Sequence, residues 1–283
     1  MPYHFRHAIC NEVYQGWSFA DACRDARAAG YEGLEIAPFT LADDPARIPQ
    51  DQRRAYRAIL DGEGLRLVGL HWLMVAPKGL HVTTPDAGLR GRSWRHIHDV
   101  VDLCADLAGD AARDTIMVFG SPKQRATEGR IRREEATRHY VEGLSGVAGH
   151  AEERGVTILV EALPSKECDV VNLLDEAAAI VAEIGSPAIR TMFDSHNAAD
   201  EREPHPALVD RHFDLIRHVH VNELDGRHPG TGGYDFASLL AVLGRRAYTG
   251  WVSLEVFDFS LGAENIARES LRYLEARIEN LGA

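Results

Sequence analysis

The stretch TILVEALPSKE, residues 157–167, decides how this chain is read. Apolar and β-branched residues run unbroken into Glu161, and the chain then turns at Pro164. A run this dense reads as a short strand buried on both faces, the kind found in parallel sheets. A carboxylate at the carboxyl end of such a strand is costly unless it is paired, hydrogen-bonded or bound to a cation. Three later stretches repeat the design. IRTMFDSH (189–196) sets Asp194 at a strand end, IRHVHVNEL (216–224) sets His220 there, and WVSLEVFDF (251–259) sets Glu255 there.

Working outward, eight strand-like runs alternate with helix-like stretches. The strands are expected at 4–9, 33–39, 66–73, 115–122, the opening stretch, 189–194, 216–222 and 250–256. Helices are expected from a Ser18 cap to Gly30, and over 51–63, 94–107, 132–154, 172–184, 206–213, 235–243 and Ala263–Leu281. Ser18 with Asp21 three residues on has the form of a capping box. Eight βα units in series predict a parallel sheet. At 283 residues, closure into a single-domain (β/α)₈ barrel over 1–283 is the economical architecture. An open doubly wound sheet is the alternative, weakened because no glycine-rich phosphate loop follows the first strand.

Composition narrows the function classes. The net charge of −12 opposes a grip on a nucleic-acid backbone. Hydrophobic residues make up 45% of the chain, enough for a core, yet no apolar run approaches the ~20 residues that span a bilayer. Cys10, Cys23, Cys104 and Cys168 are far apart, so neither a disulfide framework nor a zinc knuckle is indicated. No signal peptide is read at the N-terminus. A cytoplasmic enzyme with reduced thiols, a small-molecule substrate, and neither membrane nor nucleic acid as partner is the expectation. A homo-oligomer stays open.

Strand carboxyl ends converge on one face of a (β/α)₈ barrel, so Glu161, Asp194, His220 and Glu255 are expected around one half of that face. Two Glu, one Asp and one His form an oxygen-rich set suited to one divalent metal ion, Mn²⁺ first, with Mg²⁺, Co²⁺ or Zn²⁺ as alternatives. In this pattern the chain resembles the xylose isomerase-like TIM barrel superfamily (sugar phosphate isomerases and epimerases), and within it the D-tagatose/D-psicose 3-epimerase branch. The four residues lie 33, 26 and 35 positions apart in order, which fits that branch. The resemblance implies that all four bind the metal and that Glu161 and Glu255 also serve as acid and base. It further implies substrate contacts from Glu167, from His196 and from Arg227. His196 follows the Asp by two residues rather than three, and Arg227 is shifted by one.

The chemistry of the residues agrees. A metal that chelates a carbonyl and the adjacent hydroxyl stabilises an enediolate, and two carboxylates on opposite faces can remove a proton and return it on the other side. The expected activity is therefore a metal-dependent epimerase or isomerase acting on a free ketose or keto-sugar. A dehydratase of the inosose or 3-dehydroshikimate type is the alternative. An endonuclease IV-like AP endonuclease is disfavoured, because strand four ends in Val118–Phe119–Gly120 without a His and the charge opposes DNA. A sugar-binding protein without turnover would not need both Glu161 and Glu255.

Weaker signals lie nearby. His71 ends strand three within reach of a sugar hydroxyl, or else is a satisfied core histidine. Trp17, Phe39 and Trp72 lie past strand ends as walls of a sugar pocket, or as packing under loops. The glycines of GRHPGTGGYDF (226–236) could let backbone approach a ligand, or simply form a connector. The basic stretch 121–133 reads as a solvated helix start, with an anion contact as the alternative. No phosphate cradle follows strands seven or eight, so an unphosphorylated sugar is expected.

Overall fold

A computed structural model describes residues 4–281, apart from the side chains of residues 110, 111, 280 and 281. Eight parallel strands close into a barrel in chain order: β1 (Arg6–Cys10), β2 (Gly33–Ile36), β3 (Arg66–Leu70), β4 (Thr115–Phe119), β5 (Val156–Val160), β6 (Ile189–Asp194), β7 (Ile216–Val221) and β8 (Trp251–Leu254). Closure rests on β1 pairing with β8, from Arg6 opposite Trp251 to Ile9 opposite Leu254. Helices α1 (Phe19–Ala29), α2 (Gln50–Glu63), α3 (Ala87–Ala108), α4 (Pro122–Arg125), α5 (Arg133–Arg154), α6 (Leu174–Ile184), α7 (His205–His212), α8 (Phe236–Arg245) and α9 (Ala263–Leu281) surround the strands.

The expected elements are present, with informative shifts at their ends. Ser18 caps α1 by accepting the Asp21 amide. The return arm of the capping box is replaced: the shorter Asp21 carboxylate takes the Ser18 hydroxyl proton at 2.6 Å. Helices α1, α2, α5 and α6 each stop at a left-handed glycine: Gly30, Gly64, Gly155 and Gly185. Helix α3 starts at Ala87 rather than at 94. Asp86 caps it by accepting the Gly88 and Leu89 amides at 2.8 and 3.0 Å. Gly88 and Gly91, with Arg90 and Arg92 beside them, masked its apolar period. The polar loop expected after strand four contains α4, whose Arg125 is fully buried instead of solvated.

Side-chain parity explains where the core ends and the site begins. In β5–β8 one set of alternate residues, including Ile158, Val160, Phe193, Val219, Val221, Val252 and Leu254, faces outward into the layer shared with the helices. The other set points into the barrel, where Ala8, Val68, Ile116, Val118, Leu159, Met192 and Trp251 fill the lower part. Two residues above Leu159 on the same parity stands Glu161, and two above Met192 stands Asp194. His220 stands two above His218, and Glu255 stands four above Trp251. The apolar plug thus gives way to a polar layer at the carboxyl end of the barrel.

Gly69 shows how tightly the wall is drawn. A Cβ there would lie 1.9 Å from the Ile116 carbonyl oxygen on β4. Gly69→Ala is expected to lower stability by about 2–3 kcal/mol through overpacking, read from urea unfolding. Gly146→Ala on α5, where a Cβ meets nothing within 4 Å, serves as the contrast and should stabilise by up to ~1 kcal/mol. Equal, small effects at both positions would show that the β3–β4 contact is not close.

Candidate metal and acid–base site

Glu161, Asp194, His220 and Glu255 are all buried, and one ligand atom from each lies within 4.8 Å of every other. Register creates this convergence: Asp194 pairs with His220 across β6–β7, and His220 pairs with Ser253, two residues before Glu255, across β7–β8. Ligands around a common divalent ion stand at most roughly 4–4.5 Å apart, twice a metal–oxygen bond. The cluster is therefore the right size for one ion.

Each side chain is held from behind. Asp194 Oδ1 accepts the amides of His196 and Asn197 at 2.7 and 2.9 Å, while its Oδ2 has no hydrogen-bond partner. His220 Nε2 faces Glu35 Oε1 at 3.1 Å, and its Nδ1 lies 2.9 Å from Glu255 Oε2 and 3.4 Å from Asp194 Oδ2 without making a hydrogen bond. Glu161 Oε1 accepts from Asn197 Nδ2 at 3.0 Å. Its backbone carbonyl is clamped by the buried Arg125 guanidinium at 2.8 Å. Glu161 Oε2 lies where a Cβ on residue 120 would come within 2.1 Å, so Gly120 alone leaves room for that carboxylate. Buried atoms without partners, Asp194 Oδ2 and His220 Nδ1, face the centre of an acid-rich cluster. That donor set fits a hard divalent cation, and these four residues could hold one.

Electrostatics point the same way. Burial, then the carboxylates of Glu255 and Asp194, push Glu161 up to about 8. Burial also raises Glu255, although His220 opposes the rise. His220 is driven down by burial but held well above the usual histidine range by Glu35 and Glu255. Glu35 pays the desolvation of full burial yet is kept well below the usual carboxylate range by His220 and His218. Asp194 differs: burial acts to raise it, but His220 and the Asn197 amide hold it below the usual carboxylate range.

Other expected residues divide into two groups. His71 lies one residue past β3, with Nε2 2.8 Å from Glu12 Oε2 and 4.0 Å from Glu255 Oε1. Glu167 lines the narrow space of about 20 Å³ above Glu161 and Glu255, together with His71, Trp72, Asn197 and Phe257. His196 lies beside that space, with its Nε2 3.8 Å from Glu167 and its Nδ1 against the Leu224 carbonyl. Arg227 does not join them. Its guanidinium is paired with Asp225 at 2.8 Å on the surface and lines neither this space nor the larger one beside it. The glycine-rich loop is shaped by protein contacts: the buried Glu223 carboxylate accepts the Gly230 and Tyr234 amides, and a Cβ on Gly226 would lie 2.9 Å from Phe257.

Sequence reading missed Glu12, Glu35, His218 and Asn197. Glu35 had a signal: a carboxylate flanked by Leu34 and Ile36 in a buried strand falls under the same burial argument as Glu161. Its partners, however, lie 183 and 185 residues away. Trp72 and Phe257 also border a second, larger cavity of about 870 Å³, walled in part by Trp17, Phe39 and Glu12. All four cysteines are free and buried. Among the described residues, no helix is long and apolar enough to cross a membrane.

Comparison with known proteins adds a family. A sequence model described as xylose isomerase-like TIM barrel matches residues 23–277. A ketose 3-epimerase of Arthrobacter globiformis is 31% identical over 140 residues, so the match spans about half of either protein, 48% of each. A 2-oxo-tetronate isomerase of Cupriavidus necator is 26% identical over 249 residues, covering 86% of this chain and 88% of that one. The solved structure of a D-psicose 3-epimerase in the presence of D-fructose superposes with a TM-score of 0.84 at 19% identity, covering 97% of this chain and 99% of that one. At that identity the superposition speaks for the fold.

The protonation pattern generates a test. At Glu161, Glu255 and His220, each raised, the folded, cation-free protein holds protons that the unfolded chain has lost, at Glu161 up to about 8. The contribution of this cluster to stability should therefore fall as pH rises from about 5 to 8. A divalent ion bound to the ionised cluster should offset that loss. The gap in Tm between Mn²⁺-loaded and EDTA-treated protein is expected to widen steadily from pH 5 to pH 8. A gap that is absent or independent of pH would count against a cation at this cluster.

Proposed function

The chain belongs to the xylose isomerase-like TIM barrel family, and from that premise we propose that it is a divalent-metal-dependent sugar epimerase or isomerase. It would move a proton at a carbon next to a carbonyl on an unphosphorylated keto-sugar. The observation that carries this reading is the pair Glu161 and Glu255. They come from β5 and β8, on the two flanks of the Asp194–His220 pair, and meet within 4.8 Å of those ligands. Two carboxylates reaching one point from different strands suit removal of a proton on one face and its return on the other.

The proposed metal ligands are Glu161, Asp194, His220 and Glu255. A bound divalent ion, Mn²⁺ in the first instance, would supply the positive charge that offsets charge developing on the substrate carbonyl oxygen. The chain's own residues do the rest. Asn197 holds one oxygen of Glu161 and leaves the other free beside Gly120. Glu35 fixes the His220 ring through Nε2, so that Nδ1 faces the cluster. His71, held by Glu12 through Nε2, forms the wall of the space beside Glu255. Glu167 and His196 are assigned to the opposite rim of the same space. Trp72 and Phe257 shield the carboxylates from bulk water, which strengthens each electrostatic contact. Arg227, paired with Asp225 on the surface and outside both linings, is assigned no role in the reaction proposed here.

Turnover in D₂O with Mn²⁺, read by NMR across free ketoses, keto-glycosides and inososes, tests the reading. Solvent deuterium should enter at the inverted carbon. Glu161→Gln and Glu255→Gln should each lower kcat by about 10²–10⁴-fold, with metal content measured in both. A metal-replete Glu255→Gln that still inverts the centre would refute the two-base assignment. Loss of water from the product would move the protein to the dehydratase class.

Neither of the two spaces described is lined by Lys or Arg: the narrow space carries Glu161, Glu167 and Glu255, and the large cavity carries only Glu12 as a charged residue. Sugar phosphates are therefore expected to be poorer substrates than their parents. A tenfold advantage of a phosphorylated sugar in kcat/KM, on the order of 1.4 kcal/mol, would contradict this.

A further inference from the structure

The cavity beside the proposed site is much larger than a monosaccharide requires. At about 870 Å³ it lies near the top of the roughly 300–1,000 Å³ range that encloses a drug-sized ligand. Its wall is aromatic, with Tyr14, Trp17, Phe39, Trp72, Phe257 and Phe259 among the lining residues. Tyr14 and Trp17 meet edge-to-face at 5.5 Å, and Trp72 and Phe257 at 6.4 Å. Of the five large hydrophobic side chains exposed among the described residues, three stand at this cavity: Trp17 at 41%, Phe39 at 36% and Phe257 at 39%. Large apolar side chains left in water and clustered on one concavity mark a binding surface.

Two details tie this cavity to the chemistry. Glu12, its single charged residue, is hydrogen-bonded to His71, which lies 4.0 Å from Glu255. Trp72 borders both spaces, and its backbone is in the left-handed region at φ 52°, which a bulky side chain rarely adopts. That conformation is costly, and strain of this kind concentrates at functional positions. Here it sets the indole on the boundary shared by the space above the carboxylates and the aromatic cavity.

Resting on the function proposed above, we infer that the substrate is a keto-sugar bearing an aromatic aglycone, and that this cavity is the aglycone subsite. A cation-free, ring-lined wall has no charge to offer an anionic substituent, whereas a planar ring can stack against and edge onto Trp17, Phe39 and Phe257. An aglycone at carbon 1 keeps the sugar ring closed, so the carbonyl beside the moving proton belongs on a ring carbon. The aglycone takes no part in bond making. It contributes binding and sets which end of the sugar faces Glu161 and Glu255.

The test uses the Mn²⁺-loaded enzyme with phenyl, cyclohexyl and methyl β-D-glucosides oxidised at carbon 3. Deuterium uptake beside the carbonyl is the readout, and free ketoses run in parallel. The phenyl compound should exceed the methyl compound in kcat/KM by roughly 10- to 100-fold, the effect of burying one ring, and should exceed the cyclohexyl compound. Trp17→Ala and Phe39→Ala, both at exposed positions, should bring the phenyl-to-methyl ratio toward one, with circular dichroism confirming the fold. Exchange on the methyl compound or on free ketoses with a phenyl ratio near one leaves the proposed function standing and overturns the aglycone subsite. Equal rates for phenyl and cyclohexyl overturn its aromatic character. If no sugar exchanges, the proposed function fails, and fluorescence titration with phenyl β-D-glucoside decides the subsite. Saturable quenching lost in Trp17→Ala upholds it, and no binding overturns it. A dimer seen by light scattering that Trp17→Ala dissociates would assign the aromatic surface to a second copy and also overturn it.

Discussion

Four carboxylates and two histidines, Glu35, Glu161, Asp194, Glu255, His218 and His220, share the interior of the barrel toward its carboxyl end, where each is buried and little water reaches it. Two like charges about 4 Å apart repel by about 4 kcal/mol at the effective dielectric of a protein, and desolvation adds to that cost. The chain compensates only in part. Glu35 is hydrogen-bonded to His218 and His220, at 2.8 and 3.1 Å. Asp194 takes two backbone amides, and Glu161 takes one side-chain amide. What stays uncompensated points at a single centre, and that donor arrangement fits a divalent cation. The surrounding architecture serves that crowding: Gly120 yields space to Glu161, Arg125 pins its carbonyl, and Glu35 fixes the ring it supports.

The barrel separates two tasks by height. Below, Trp251, Met192 and Leu159 pack the interior and contribute the apolar burial that stabilises the scaffold. Above, the same inward parity carries acids and imidazoles. Because one strand provides both a plug residue and a site residue two or four positions later, the site inherits the rigidity of the core. The aromatic cavity is built differently. Trp17, Phe39, Trp72 and Phe257 all lie beyond strand ends, on segments that can vary without disturbing the barrel. Chemistry and recognition are thereby assigned to strand and loop respectively.

Much of this was legible in the chain. Buried strands with an acid or imidazole at the end announce themselves by composition, and the helix stops at Gly30, Gly155 and Gly185 follow from the conformational freedom of glycine. Where local signals were diluted, reading failed. The first turns of α3 hold Gly88, Gly91 and two arginines, Arg90 and Arg92, and their start is fixed by Asp86 through two amides that no periodicity count registers. Arg125 sits in a basic, polar stretch and reads as solvated. Its burial depends on the carbonyls of Phe119 and Glu161, which only the folded chain brings to it.

By itself the sequence determined the eight βα units, the closed-barrel expectation and the four residues at strand ends, because strand parity and the cost of a buried charge are local properties. Tertiary structure decided the partners. Glu35 meets His220 across 185 residues of chain, and Glu12 meets His71 across 59. Neither pairing leaves a mark at fixed spacing, since it depends on which strands become neighbours or face one another once β8 closes on β1. Tertiary structure also set the Arg227 guanidinium on the surface beside Asp225, two residues away. And it gathered Trp17, Phe39, Trp72 and Phe257 from four separate loops into one wall, a juxtaposition that follows from barrel closure and from no local pattern in the chain.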